Sequence, residues 1–235
     1  MTWQIYEELS RELAKLTFGP PVTHVYNPLV YAAKPAQQYV DQFASKKVRA
    51  ILLGMNPGPW GMAQTGVPFG EVSLVRDFIG IRGPVVKPEQ ENPARPIVGF
   101  ECTRSEVSGA RLWGLARDHF VTADAFFRRF TVLNYCPLVF MEASGKNFTP
   151  DKLRKGEQVA LFAVCDTALK KVLAVLQPEF LIGVGAFAEA CLKRIAPTHK
   201  NVSRILHPSP ASPKANANWA GEVTRELSQL GLLTD

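Results

Sequence analysis

The chain has 235 residues, 46% of them apolar, and a formal charge of +6, which gives an isoelectric point near 9.2. That length suits one large α/β domain and that apolar share fills a substantial core, which excludes a disordered or fibrous chain. The basic balance is compatible with a nucleic-acid partner, and no apolar run is long enough to span a bilayer.

The first segment, 3 to 17, places Ile5, Leu9, Leu13 and Leu16 at helical spacing with Glu and Lys on the other face. It is amphipathic and acidic, unlike a secretory signal, and Gly19-Pro20-Pro21 stops it. Residues 22 to 35 read as an irregular connection, and Val40, Phe43 and Ala44 as a short helix. A buried strand covers 48 to 54 and breaks into a loop crowded with Gly and Pro that runs to Gly70. Leu74, Val75, Phe78 and Ile79 predict a helix closed by Gly80, 82 to 99 a surface excursion, and 105 to 118 a helix burying Leu112, Trp113 and Leu115.

Arg129 to Leu133 is a second strand, and Thr149-Pro150-Asp151 predicts a helix start, with Thr149 capping, that runs to Leu176. A third strand, 180 to 184, leads into a helix over 186 to 195. A fourth, 202 to 206, precedes a last helix near 216 to 230. Strands alternating with helices predict a three-layer α/β/α fold around a four-stranded parallel sheet, with residues 1 to 235 as a single domain.

Three of the strand ends carry polar, turn-forming sequences: Asn56-Pro-Gly-Pro, Asn134-Tyr-Cys-Pro and His207-Pro-Ser-Pro. In a parallel sheet all carboxyl ends lie on one edge, so Asn56, Asn134 and His207 should converge there. Singly, each has an ordinary explanation: a loop histidine, a turn asparagine, and for Phe69 a core aromatic. Together, beside glycine-lined backbone and Phe69, two amides and an imidazole could read a planar polar ring. Cys102, Cys136, Cys165 and Cys191 are far apart and form no Cys-x-x-Cys pair, which argues against zinc or an iron–sulfur cluster and fits reduced thiols in a cytosol. No metal and no cofactor is expected.

The stretch Gly54-Met-Asn-Pro-Gly-Pro-Trp-Gly-Met-Ala-Gln-Thr-Gly-Val-Pro-Phe-Gly70 resembles the single-strand-selective monofunctional enzymes of the uracil-DNA glycosylase superfamily. Asn134-Tyr-Cys-Pro-Leu138, Ser144-Gly-Lys-Asn147, Gly183-Val-Gly185 and His207-Pro-Ser-Pro210 extend the resemblance in family order. It implies the uracil-DNA glycosylase fold and a monomeric repair enzyme that flips uracil, or a relative such as 5-hydroxymethyluracil, out of single- or double-stranded DNA and hydrolyses its N-glycosidic bond. By the resemblance Asn56 orients the attacking water, His207 stabilises the departing base, Phe69 stacks on it, Asn134 hydrogen-bonds its edge, and Met55, Gly58 and Met62 line the pocket.

Pro208, Ser209, Pro210, Ala211 and Ser212 would form the wedge that fills the gap in the duplex. Ala211 and Ser212 stand where vertebrate members carry Arg-Asn, and Trp60 where they carry Phe, so the wedge is shorter here. Such an enzyme works where DNA is kept, in the nucleoid region of a bacterial cytoplasm or in a nucleus. Lys46, Lys47, Arg128, Arg129, Lys146 and Lys214, as a set near the active edge, would contact phosphates. Two alternatives stay open: a mismatch-type glycosylase for deaminated purines such as hypoxanthine or xanthine, and a damage-binding module that does not cut.

Overall fold

The computed structural model describes residues 2–233. The chain opens with α1 (Thr2–Leu13), a short strand β1 (His24–Tyr26), α2 (Pro28–Tyr31) and α3 (Ala33–Phe43), and then enters the sheet at β2 (Ala50–Gly54). After the one-turn helices α4 (Met62–Thr65) and α5 (Val72–Leu74) come α6 (Val107–Phe120), α7 (Ala123–Phe127) and β3 (Phe130–Asn134). Two short strands, β4 (Val139–Met141) and β5 (Asn147–Phe148), precede the long α8 (Lys155–Leu176). The chain then runs through β6 (Phe180–Val184), α9 (Ala186–Ile195), β7 (Val202–Ile205) and α10 (Pro213–Gln229).

The main sheet is four-stranded and parallel, in the order β3-β2-β6-β7. Every residue of β2 is buried, as expected of a central strand covered on both faces. Alternation along the strands assigns the layers. Leu52, Phe130 and Ile205 face Leu112 of α6, Phe126 of α7 and Trp219 of α10. Leu133, which sits opposite Leu53 in the register, faces Leu9 of α1 and Tyr39 of α3. α1 lies along α8, and α9 covers β6. The expected three-layer α/β/α arrangement is present.

The sequence reading differs from the structure at four places. Residues 22 to 35 are not irregular throughout: β1 pairs antiparallel with β4, and β4 with β5, in a second, three-stranded sheet. Strands of two or three residues are too short to show a period of two, which is why this sheet left no signal. Thr149 caps nothing through its side chain; Pro150–Lys152 forms a single 3₁₀ turn. The long helix begins at Lys155, where Glu157 accepts the Arg154 N–H at 3.0 Å and also that of Gly19 at 2.7 Å.

The excursion at 82 to 99 is anchored rather than loose. Asn92 is fully buried, its N–H donating to the Tyr26 hydroxyl at 2.6 Å and its side-chain amide to the Glu142 carbonyl at 3.2 Å. The last helix starts at Pro213, three residues before the expected point, because the Ser212 hydroxyl accepts the Ala215 N–H.

The sheet and α9 touch backbone to backbone at Gly183, where an added Cβ would stand 2.3 Å from the Glu189 nitrogen. Gly183→Ala should therefore cost about 1–3 kcal/mol as an overpacked contact. An unchanged denaturant midpoint would show that α9 does not approach β6 this closely.

Candidate functional site

The carboxyl ends of β2, β3 and β7 open on one edge of the sheet, and a cavity of about 230 Å³ lies there, walled by Met55, Asn56, Pro57, Gly58, Phe69, Glu106, Ser108, Asn134, Asn147, Thr149, His207 and Ser209. Backbone pairing continues past the strands: Tyr135 N–H donates to the Gly54 carbonyl and Cys136 N–H to that of Met55, both at 2.9 Å. These bonds hold the Asn56 loop and the Asn134 loop in fixed register. Behind them the Tyr135 hydroxyl donates to Asp166 at 2.7 Å, and Arg194 grips both oxygens of the same carboxylate.

Asn56 donates its side-chain amide to the Leu138 carbonyl at 3.1 Å. With the Nδ2 group tethered, its Oδ1 is the end left to accept a hydrogen bond in the cavity. Asn134 rests its Nδ2 on the sulfur of Met62 at 3.3 Å, a weak acceptor that a better partner can replace. Phe69 carries a left-handed backbone, with φ of +52°. A non-glycine residue in that region costs on the order of 1–3 kcal/mol, so the surrounding contacts must impose it. Trp113 donates to the Pro68 carbonyl beside it at 3.2 Å, and Gly109 of α6 comes so near the Phe69 carbonyl that a Cβ would stand 2.0 Å away.

His207 follows β7, with its ring centroid 6.4 Å from that of Phe69. The Ser209 N–H donates to its Nδ1 at 3.1 Å. An accepting Nδ1 places the ring proton on Nε2. Burial lowers the pKa of the ring below the ordinary histidine value, which keeps it neutral near pH 7. Its loop is held from α6: Arg111 donates to the Pro208 carbonyl at 3.1 Å and to Asn216 of α10 at 2.9 Å, and Asn216 donates to the Pro210 carbonyl at 2.8 Å.

Of the residues expected at the site, Met55, Asn56, Gly58, Phe69, Asn134, His207 and Ser209 share the cavity wall. Met62 does not; it is buried behind Asn134. In the segment read as a wedge, Pro208 is buried, Pro210 and Ala211 are exposed, and Ser212 caps α10. The basic set does not gather at this edge. Lys46, Lys47, Arg128 and Arg129 precede β2 and β3 and so lie at the opposite, amino end of the sheet, while Lys146 pairs with Glu142 and Lys214 with Glu222. The order of the chain already implies this, because residues that precede a strand of a parallel sheet lie at its amino end.

Five wall residues were not foreseen as such: Pro57, Ser108 and Thr149, and the two with unusual surroundings, Asn147 and Glu106. Asn147 lines the cavity, and its side-chain Oδ1 is buried with no hydrogen-bond partner. Glu106 sits at the start of α6, its carboxyl near the Gly109 N–H without a well-formed capping bond, and a Cβ on Gly61 or Gly58 would stand 2.3 or 3.2 Å from its oxygens. Burial, reinforced by the nearby Glu71, pushes its carboxyl up to about 7, against the opposing pull of the Gly109 N–H. An acidic residue before a helix looks like a routine N-terminal residue in sequence, so nothing marked it. Among the described residues no group of three or more His, Cys, Asp or Glu could hold a metal ion, the four cysteines are free and buried, and no helix is long and apolar enough to cross a membrane.

Residues 40–228 match the family model of the uracil DNA glycosylase superfamily. The chain is 45% identical over 229 residues to a single-strand selective monofunctional uracil DNA glycosylase of Mus musculus, covering 96% of this chain and 82% of the relative. It is 46% identical to the Bos taurus protein of the same name, covering 96% of this chain and 84% of that one. A crystal structure of Pedobacter heparinus SMUG2, 19% identical, shares the fold with a TM-score of 0.68 over 97% of this chain and 96% of that one.

Glu106 also makes a prediction about stability. Its folded pKa lies above the ordinary carboxyl value of 4.5, so its contribution is intact at low pH and is lost as pH rises toward about 7. Glu106→Gln should match wild type near pH 4 and become the more stable protein above pH 7, by up to about 3 kcal/mol. Parallel pH dependences of the two melting temperatures would show that the carboxyl is not desolvated.

Proposed function

Because the chain belongs to the uracil DNA glycosylase superfamily, we propose that its cavity receives a uracil flipped out of DNA and that the site hydrolyses the N-glycosidic bond, leaving an abasic site in the repair of damaged DNA. The observation that carries this reading is the fixed polarity of the two polar groups: Asn56 tied through Nδ2, and His207 tied through Nδ1.

The bond from C1′ to N1 breaks with its electron pair leaving on the uracil ring, water adds at C1′, and the proton that the water then gives up passes to solvent or to the released uracil anion. The Oδ1 of Asn56 accepts a hydrogen bond from the water and aligns it, an effect of proximity rather than of proton removal, since an amide is no base at neutral pH. Charge then builds on N1 and O2 of the base. The Nε2–H of His207 donates to O2 and stabilises that charge as it develops. A neutral imidazole suffices, because the donor acts in a partly desolvated cavity where dipoles count for more than in water. Phe69 supplies the stacking wall, and Asn134 exchanges its weak sulfur contact for the polar edge of the base. Met55 and Gly58 complete the floor, with Met62 acting from behind Asn134.

The same reading treats residues 1–235 as one glycosylase domain acting as a monomer, on single strands in preference to duplex, in keeping with the single-strand selectivity for which the relatives are named. The exposed end of the wedge, Pro210-Ala211, carries no side chain long enough to invade a stacked duplex deeply. At the C5 side of the base, by Gly58, an ordered water would be replaced by the hydroxyl of 5-hydroxymethyluracil but not by the apolar methyl of thymine, which is the basis of the discrimination.

The test is a single-turnover rate series on uracils of graded acidity. His207→Ala should slow uracil release by about 10²–10³-fold, in line with loss of one oxyanion donor, with little change in affinity. The loss should shrink for 5-fluorouracil, which leaves more easily. Asn56→Ala should bind the lesion strand but release almost no base. An equal loss for every base in a His207→Ala protein that melts early would make the histidine structural, and failure of wild type to release uracil at all would overturn the reading.

A further inference from the structure

We propose that Trp60, Arg95 and Arg104 form a phosphate-binding subsite on the rim of the cavity, which grips the backbone of a nucleotide flanking the flipped base. This rests on the glycosylase reading above and adds a second point of contact with the strand. The Arg104 guanidinium lies 4.6 Å and that of Arg95 5.2 Å from the centre of the Trp60 ring. Among the described residues neither arginine enters an ion pair, whereas Lys146 and Lys214, two of the basic residues read as phosphate contacts, are each neutralised by a carboxylate.

The arrangement is built rather than incidental. Gln64 is fully buried and uses its whole amide: Nε2 donates to the carbonyls of Pro59 and Pro96 at 3.2 and 3.0 Å, and Oε1 accepts the N–H groups of Val98 and Gly99 at 3.0 and 3.1 Å. That clamp draws the segment carrying Arg95 onto the loop carrying Trp60. Arg104 arrives from the other side, two residues before Glu106, whose carboxyl packs on Gly58 and Gly61 around Trp60. The subsite therefore adjoins the cavity wall.

An indole face holds a guanidinium by cation–π attraction and stacking while leaving its N–H edge free. That edge is planar, always charged, and matched in geometry to phosphate oxygens. One donor of Arg95 is used by the Ala94 carbonyl at 2.8 Å, and its Nε is buried without a partner, so Arg104, exposed, supplies most of the open edge. The ligand class that fits is a phosphodiester.

The experiment measures binding of a short single-stranded oligonucleotide carrying a tetrahydrofuran abasic analogue, as a function of salt, by anisotropy and by tryptophan emission. Arg104→Gln should weaken binding severalfold and lower the slope of log affinity against log salt by about 0.7, the value for one single-strand phosphate contact. Trp60→Leu keeps both charges but loses the shelf. It should weaken binding while leaving the slope near that of wild type, and Trp60→Phe should restore most of the affinity. Single-turnover uracil release at saturating enzyme should stay within about twofold of wild type in all three, because none touches the reacting atoms. Unchanged affinity and slope in Arg104→Gln, in a protein that still releases uracil, would remove the subsite and leave the glycosylase reading intact. Loss of uracil release by wild type would strike that reading instead.

Discussion

No side chain fits at residue 54, and the site depends on that. A Cβ on Gly54 would stand 2.5 Å from both the Asn134 Oδ1 and the Phe69 ring. The last residue of the central strand is thus bare backbone, over which an aromatic wall and a hydrogen-bonding amide converge from two loops separated by 65 residues of sequence. Its carbonyl in turn accepts the Tyr135 N–H, so the atom left exposed by the missing side chain also sets the register of the neighbouring loop. Strand pairing, which stabilises the fold, and the placement of Asn134, to which the proposed reading gives recognition of the base, are the same interaction at this point. The strained φ of Phe69 follows, because only a reversal of the chain there lays the ring against so small a residue.

The groups nearest the chemistry are held by hydrogen bonds that determine which atom is free. An asparagine free at both ends could present donor or acceptor; tied to Leu138 through Nδ2, Asn56 presents an acceptor. A free histidine could carry its proton on either nitrogen; tied to Ser209 through Nδ1, His207 presents a donor. The supporting contacts come from elements with no part in the reaction. Arg111 and Ser108, both on α6, reach the Pro208 carbonyl, and the Arg194–Asp166 pair stands behind Tyr135. Preorganisation of this kind lowers the reorganisation needed in the transition state, and this is the larger part of what a catalyst without charged groups can offer.

The parallel sheet and the convergence of Asn56, Asn134 and His207 were legible in the sequence because apolar runs followed by Gly, Pro and Asn are local signals. The strand-end rule then carried three local signals to one place. What was not legible was whatever long-range pairing decides. The small antiparallel sheet is made of strands too short to show a period. The role of Glu157, rather than Thr149, in starting α8 depends on a contact with Gly19 from far along the chain. Glu106 and Asn147 looked like ordinary helix-start and turn residues, and only burial and the lack of a partner distinguish them. The basic residues failed as a set for a geometric reason that chain order already carries: Lys46, Lys47, Arg128 and Arg129 precede strands and so stand at the amino end of the parallel sheet, away from the site.

The distribution of charge separates two tasks. The reaction produces an anion, yet the cavity wall offers it no fixed cation. His207 is kept neutral by burial, and Glu106 is pushed toward its neutral form by the same desolvation. A full positive charge beside the base would favour any anionic ligand, bound ground states included, and would gain little that is specific to the transition state. A buried donor dipole instead acts mainly when charge appears at O2, and the low local dielectric magnifies it at that moment. Positive charge that is unpaired among the described residues stands instead at Arg95 and Arg104 against Trp60, where the proposed subsite gives it to affinity for a polyanionic strand. On the proposed reading, capture of the strand and cleavage of the bond draw on different residues, while the loop after His207 stays coupled to the chemistry through the Ser209 N–H that holds the ring.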